Sequence, residues 1–105
     1  MTTALTPLGY ALTIGTTSMQ ILAANPSRKG LMFFNPSSNT VAVCPAFNNN
    51  MQSLPAVING AGAISVLPSG MLVIPQAGWP DNTALGSAFN AIASGASTPF
   101  TVWEF

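Results

Sequence analysis

Apolar residues in this chain come in short runs, and turn-forming residues interrupt them every few positions. The runs "YALTI" (10–14), "MQILAA" (19–24), "GLMFFN" (30–35), "TVAVCPA" (40–46), "AVIN" (56–59), "AISVL" (63–67), "MLVIP" (71–75), "SAFNAIA" (87–93) and "FTVWEF" (100–105) have strand length. Between them "NPSRKG", "PSSN", "FNNN", "PSG", "WPDN" and "SGAS" read as turns or loops. Nine prolines and nine glycines punctuate the chain without forming a low-complexity block. Only "TALGSAFNAIASG" has a helical aspect. Its alanines support a helix, but Gly86, Asn90 and the serines oppose one, and it is read as a strand. "FFNPSSNTVAV" and "SVLPSGMLVI" predict two hairpins, the second with Gly70 supplying a positive φ. The pattern predicts an all-β fold: a single antiparallel β-sandwich over residues 1–105, jelly-roll or Ig-like, with 1–18 available as an extended arm.

Several runs are apolar at consecutive positions rather than alternating. "LMFF" and "FTVWEF" place bulky side chains on both faces of a strand, which implies cover on the outside of the sandwich as well as the inside. In a domain of this size that cover is expected from a neighbouring chain. Charge sharpens the expectation. Arg28, Lys29, Asp81 and Glu104 are the only four charged residues among 105, 4% of the chain, where about a quarter is usual. A folded surface of roughly 5,500 Å² then carries about one charge per 1,400 Å². A chain with zero net charge, so few charges and 49% hydrophobic residues is expected to associate rather than persist as a monomer.

The same scarcity excludes chemistry. Two basic residues make no patch for a phosphate backbone, so no nucleic-acid partner is expected. The prolines leave no window near the ~20 apolar residues of a spanning helix, and no membrane partner is expected. The N-terminus lacks a basic n-region and carries Pro7 within its apolar stretch, a poor export signal. There is no histidine. Asp81 and Glu104 are the only carboxylate pair, one in a turn and one next to the C-terminus. Cys44 has no base to activate it and reads as a small buried hydrophobe. "GAGA" at 60–63 lacks the lysine and helix of a phosphate loop. No catalytic residue, metal ligand, cofactor or small-molecule substrate is therefore expected, and the chain is not read as an enzyme. Trp79, Trp103 and Tyr10 are candidate sugar-stacking aromatics, with packing the commoner role for such residues. Asn48, Asn49 and Asn50 are candidate hydrogen-bonding groups for a partner.

The segment "ILAANPSRKGLMFFNPSSNTVAV", followed by "LPSGMLVIPQAG" and "NAIASGASTPFTVWEF", resembles a pattern in small bacteriophage and prophage virion proteins. The resemblance covers roughly residues 19–105; "CPAFNNNMQSLPAVINGAGA" departs from it. It implies a capsid decoration (cement) or accessory structural protein that is assembled in the host bacterial cytoplasm and resides in the virion. The implied partners are the major capsid protein or another virion protein, together with further copies of the chain. The alternative expectation is a tail or spike module that recognises a host glycan or receptor. Trp79 and the 48–50 loop would then be exposed together at a distal tip. Lys29, Asn48, Asn49, Asn50 and Trp79 are the candidate partner contacts.

One internal contact is also expected. If the strand after "NPSRKG" pairs antiparallel with "FTVWEF", its start lies beside the end of the other. Arg28 then pairs with Glu104 as a structural ion pair, gripping the carboxylate with its planar fork. Lys29 is left for solvent or a neighbouring chain.

Overall fold

The computed structural model describes residues 8–47, 52–60, 62–74 and 87–105. The strands are β1 (Leu8–Ile14), β2 (Met19–Leu22), β3 (Leu31–Phe34), β4 (Val41–Pro45), β5 (Ile64–Val66), β6 (Met71–Ile74), β7 (Phe89–Ala93) and β8 (Thr98–Glu104). They form two antiparallel four-stranded sheets. Sheet A has the order β1-β8-β3-β6, and sheet B the order β2-β7-β4-β5. The pairs β1·β8, β2·β7, β3·β6 and β4·β5 are those of one long antiparallel ribbon bent back on itself between β4 and β5. Rolling that ribbon adds the contacts β3·β8 and β4·β7. This is the jelly-roll connectivity, and it decides between the two sandwiches that the pattern left open.

Alternation along each strand sets the core. On β8, Thr98, Phe100, Val102 and Glu104 are buried, while Pro99 and Trp103 are exposed. Leu31 and Phe33 of β3, Val41 and Val43 of β4, and Phe89, Ala91 and Ala93 of β7 join them in the interior, with Ile14, Leu22, Val66 and Ile74 from the remaining strands. Phe33 stands at its centre, 5.7 Å from the ring of Phe89 on the opposing sheet and 6.0 Å from that of Phe100 beside it.

Four expectations need correction. Residues 8–14 of the proposed N-terminal arm are strand β1, paired along its whole length with β8. The "AVIN" run is not a strand: Asn59 has a φ of 57°, and Gly60 N–H closes a turn onto Val57 O. Neither proposed hairpin forms. β3 and β4 lie in different sheets, as do β5 and β6, so both connections are corners that carry the chain across the sandwich. Finally, the positive φ of the "LPSG" turn belongs to Ser69, at 60°, not to Gly70. Gly70 is required for another reason: a Cβ there would lie 2.8 Å from Leu67 O.

The corners are tied together by Asn35, which is completely buried. Its amide nitrogen donates to Asn39 O and Val66 O, and its Oδ1 accepts from Ser37 N–H and Oγ. Its main chain exchanges hydrogen bonds with Gly70 O and Ser69 N–H. The β3–β4 and β5–β6 corners thus share one buried amide. Asn25 makes the same local bond in the other Asn-Pro-Ser triplet, accepting from Ser27 N–H at 3.1 Å.

β4 is buried on both faces. At Cys44 the outer cover is the chain's own segment 52–60. Cys44 Sγ lies 3.5 Å from Leu54 O, Asn90 Nδ2 donates to the same carbonyl, and Ala56 N–H donates to Ser18 Oγ. "LMFF" and the end of β8 are different: Met32 and Phe34 are half-buried and Trp103 is exposed within the single chain.

Candidate functional site: a buried clamp and an uncharged sheet face

Two features stand out, one at an end of the sandwich and one on its side. The first is built where β8 runs out of the core. Glu104 is the fourth inward position of that strand, opposite Leu31 of β3. An inward carboxylate at this point needs a charged partner and several donors. The turn after Asn25, closed by Arg28 N–H on Asn25 O at 3.1 Å, places Arg28 there. Arg28 and Glu104 are 4% and 6% exposed. Arg28 Nε donates to Glu104 Oε1 at 2.7 Å, and Nη2 donates to the same oxygen. Both donors thus converge on one oxygen rather than spanning two. The second oxygen, Oε2, accepts the Tyr10 hydroxyl at 2.7 Å. Tyr10 faces Val102 across the β1·β8 ladder, so Glu104 is its diagonal neighbour on the same face.

Arg28 does more than neutralise Glu104. Nη1 donates to Ser87 O at 2.8 Å and Nη2 to Ala23 O at 3.0 Å. Ala23 follows β2 and Ser87 precedes β7, both of sheet B, whereas Glu104 belongs to sheet A. One guanidinium therefore staples the two sheets together. The carboxyl pKa of Glu104 reflects competing causes. Burial pushes it up, but the hydrogen bonds from Tyr10 and Arg28, the charge of Arg28 and a bond from Asn25 outweigh burial and hold it below the ordinary value. The same carboxylate raises the Tyr10 pKa, chiefly by accepting its hydroxyl hydrogen bond. A cavity of about 400 Å³ opens beside the clamp, lined by Tyr10, Glu104 and residues 21–25.

The second feature is the outer face of sheet A. Its outward positions are Gly9, Ala11 and Thr13 on β1, Pro99, Thr101 and Trp103 on β8, Met32 and Phe34 on β3, and Met71 and Val73 on β6. None of these carries a charge. The register aligns Gly9, Trp103, Met32 and Val73 in one row across the sheet, and Ala11, Thr101, Phe34 and Met71 in the next. Met71 is 58% exposed, Val73 43% and Trp103 38%. The Trp103 ring lies over Gly9, where a Cβ would sit 2.8–2.9 Å from three of its carbons. A bare glycine is what lets the indole lie against the edge strand. A shallow hollow of about 400 Å³, lined by Gly9, Tyr10, Ala11, Thr101 and Trp103, flanks it.

The structure brings Arg28 and Glu104 together and leaves Lys29 exposed, its main-chain N–H donating to Phe105 O. Asn48, Asn49, Asn50 and Trp79 lie outside the described residues. Sequence reasoning missed Tyr10 as a member of the clamp. It also missed Asn35, although an Asn-Pro-Ser triplet is an Asx-turn signal that could have found it. Among the described residues no three His, Cys, Asp or Glu side chains gather where they could hold a metal ion. Burial raises the pKa of the Cys44 thiol.

Comparison with known proteins places the chain in no group. No family model, curated protein or solved structure matches it.

Proposed function

We propose that this protein is a non-enzymatic structural component of a tailed bacteriophage virion, a decoration or cement protein that stabilises the capsid shell through protein–protein contacts. The observation that carries the reading is the uncharged outer face of sheet A, four strands wide, on a chain with only four charges. Burying such a face against a neighbouring subunit of the particle, whether a capsid subunit or a further copy of this chain, stabilises the assembly by apolar contact and involves little charge desolvation. Two further points support it: the resemblance of residues 19–105 to small virion proteins, and a jelly-roll fold of the kind that recurs in viral capsid domains. Its partners in this reading are the major capsid protein or another virion protein. It joins the particle in the bacterial cytoplasm and uses no cofactor, nucleic acid or membrane.

A second reading, a tail or spike module for a host glycan or receptor, draws on one observation. Trp103 presents an indole at the edge of a shallow hollow, an arrangement suited to stacking on a sugar ring. Immunogold labelling of virions produced by the encoding phage or lysogen separates the two. A regular array over the shell is the expected outcome, with particles lacking the gene losing DNA at lower temperature. Label confined to the tail tip favours the glycan reading, and unlabelled virions overturn both.

A further inference from the structure

We propose that the outer face of sheet A is a self-association surface whose occupant is the same face of a second copy of this chain. Three observations select that occupant. The first is charge. None of the ten outward positions is ionisable, so two copies related by a two-fold axis bring no like charges together and strand none away from water. A partner chosen by charge complementarity would find nothing here to read.

The second is shape. Trp103 is held against Gly9 and does not stand up from the sheet, because the residue beneath its ring is a glycine whose Cβ would lie 2.8 Å from it. Sheets pack face to face about 10 Å apart when their side chains lie in even rows. The rows Gly9–Trp103–Met32–Val73 and Ala11–Thr101–Phe34–Met71 supply such a surface, with a central tryptophan already immobilised before binding.

The third is area. At the usual strand spacing and rise, the strands of sheet A cover on the order of 350 Å² in plan. That is below the about 800 Å² per partner of a standard interface and belongs to the class of weak, concentration-dependent contacts. On sheet B, segment 52–60 covers Cys44 and Asn90 of the outer side. The inference does not rest on the virion reading: a chain that pairs through this face can act outside a virion, and a virion protein can be monomeric before it docks.

The test is sedimentation velocity of the full chain from about 1 to 200 µM, beside two charge-insertion variants. Val73→Glu places a carboxylate in the Trp103 row on an exposed position of β6. Ser65→Glu places one on an exposed position of β5, in the other sheet. A concentration-dependent dimer is expected for the wild type and for Ser65→Glu. For Val73→Glu the dissociation constant should rise at least tenfold, with an unchanged far-ultraviolet circular dichroism spectrum showing that the fold survives. A Trp103 emission that shifts to the blue on dimerisation in the wild type, and stays fixed in Val73→Glu, is expected alongside, with Trp79→Phe removing the other indole's signal. A wild type that is monomeric throughout overturns the proposal. So does a dimer weakened by Ser65→Glu and indifferent to Val73→Glu. Either result leaves the immunogold outcome, and with it the virion reading, untouched.

Discussion

At the scale of single residues, the two buried charges among the described residues meet in one contact. Arg28 and Glu104 are buried together and share their donors and acceptors with Tyr10, Ser87 and Ala23. Removing one charge strands the other, which typically costs about 3–5 kcal/mol. Arg28→Met and Glu104→Gln should each lose stability on that order in urea unfolding, and the double variant should lose less than their sum. Arg28→Lys should not restore stability, since an ammonium cannot reach both sheets in one plane. The pH dependence follows from the shifts. Glu104 titrates below its ordinary value in the fold, so its contribution is fully present above the unfolded carboxyl pKa of about 4.3 and is lost as pH falls through the lower folded value. Tyr10 is raised, so its contribution is present below about 10 and is lost as pH rises through the higher folded value. Glu104→Gln should flatten the acid limb of stability against pH, and Tyr10→Phe should remove the part of the alkaline limb above about pH 10. The Arg28–Glu104 contact was legible in the sequence because so few charges leave few pairings. Tyr10 was not, because its place depends on which strand lies beside β8.

At the scale of elements, strand positions followed from hydrophobic runs, but strand partners did not. "NPSSN" and "LPSG" carry turn residues suited equally to a hairpin or to a corner between sheets. The buried amide of Asn35, shared by both corners, belongs to the arrangement in which these two reversals change sheets. β4 shows a related limit. Its run of buried residues reads as a strand covered on both sides, and at Cys44 the cover proves to be segment 52–60, held by Ala56 N–H on Ser18 Oγ at 2.8 Å. Ser18→Ala leaves that buried N–H without its acceptor, at a cost of about 1–3 kcal/mol. Because the segment is a cover and not a strand of the sheets, the loss should appear as local opening. Alkylation of Cys44 is expected to be slow in the wild type, with burial holding the thiol protonated, and several-fold faster in Ser18→Ala at unchanged strand content. Equal rates in the two proteins would show that segment 52–60 does not gate the thiol.

At the scale of the whole molecule, the sheets are joined by the aromatic cluster of Phe33, Phe89 and Phe100 at the middle and by the Arg28 staple at one end. Phe33→Ala should cost about 3–5 kcal/mol. Both sheets should melt together in a single transition, seen as coincident circular dichroism and tryptophan-fluorescence curves. The sequence by itself determined the class of the fold, since most of its short apolar runs, cut by proline and glycine, have the length of strands and are too short for helices. It also determined that the surface would be nearly uncharged, because composition is independent of conformation. Only the tertiary structure decided the rest: which of the two sandwiches forms, that both apparent hairpins are corners, that β4 is covered from within the chain, and that sheet A carries an uncharged, partly exposed outer face. Those outcomes depend on pairings between residues far apart in the chain, such as Leu8 with Glu104. Local propensity does not encode such pairings, because a strand presents the same hydrogen-bonding edge to every possible partner.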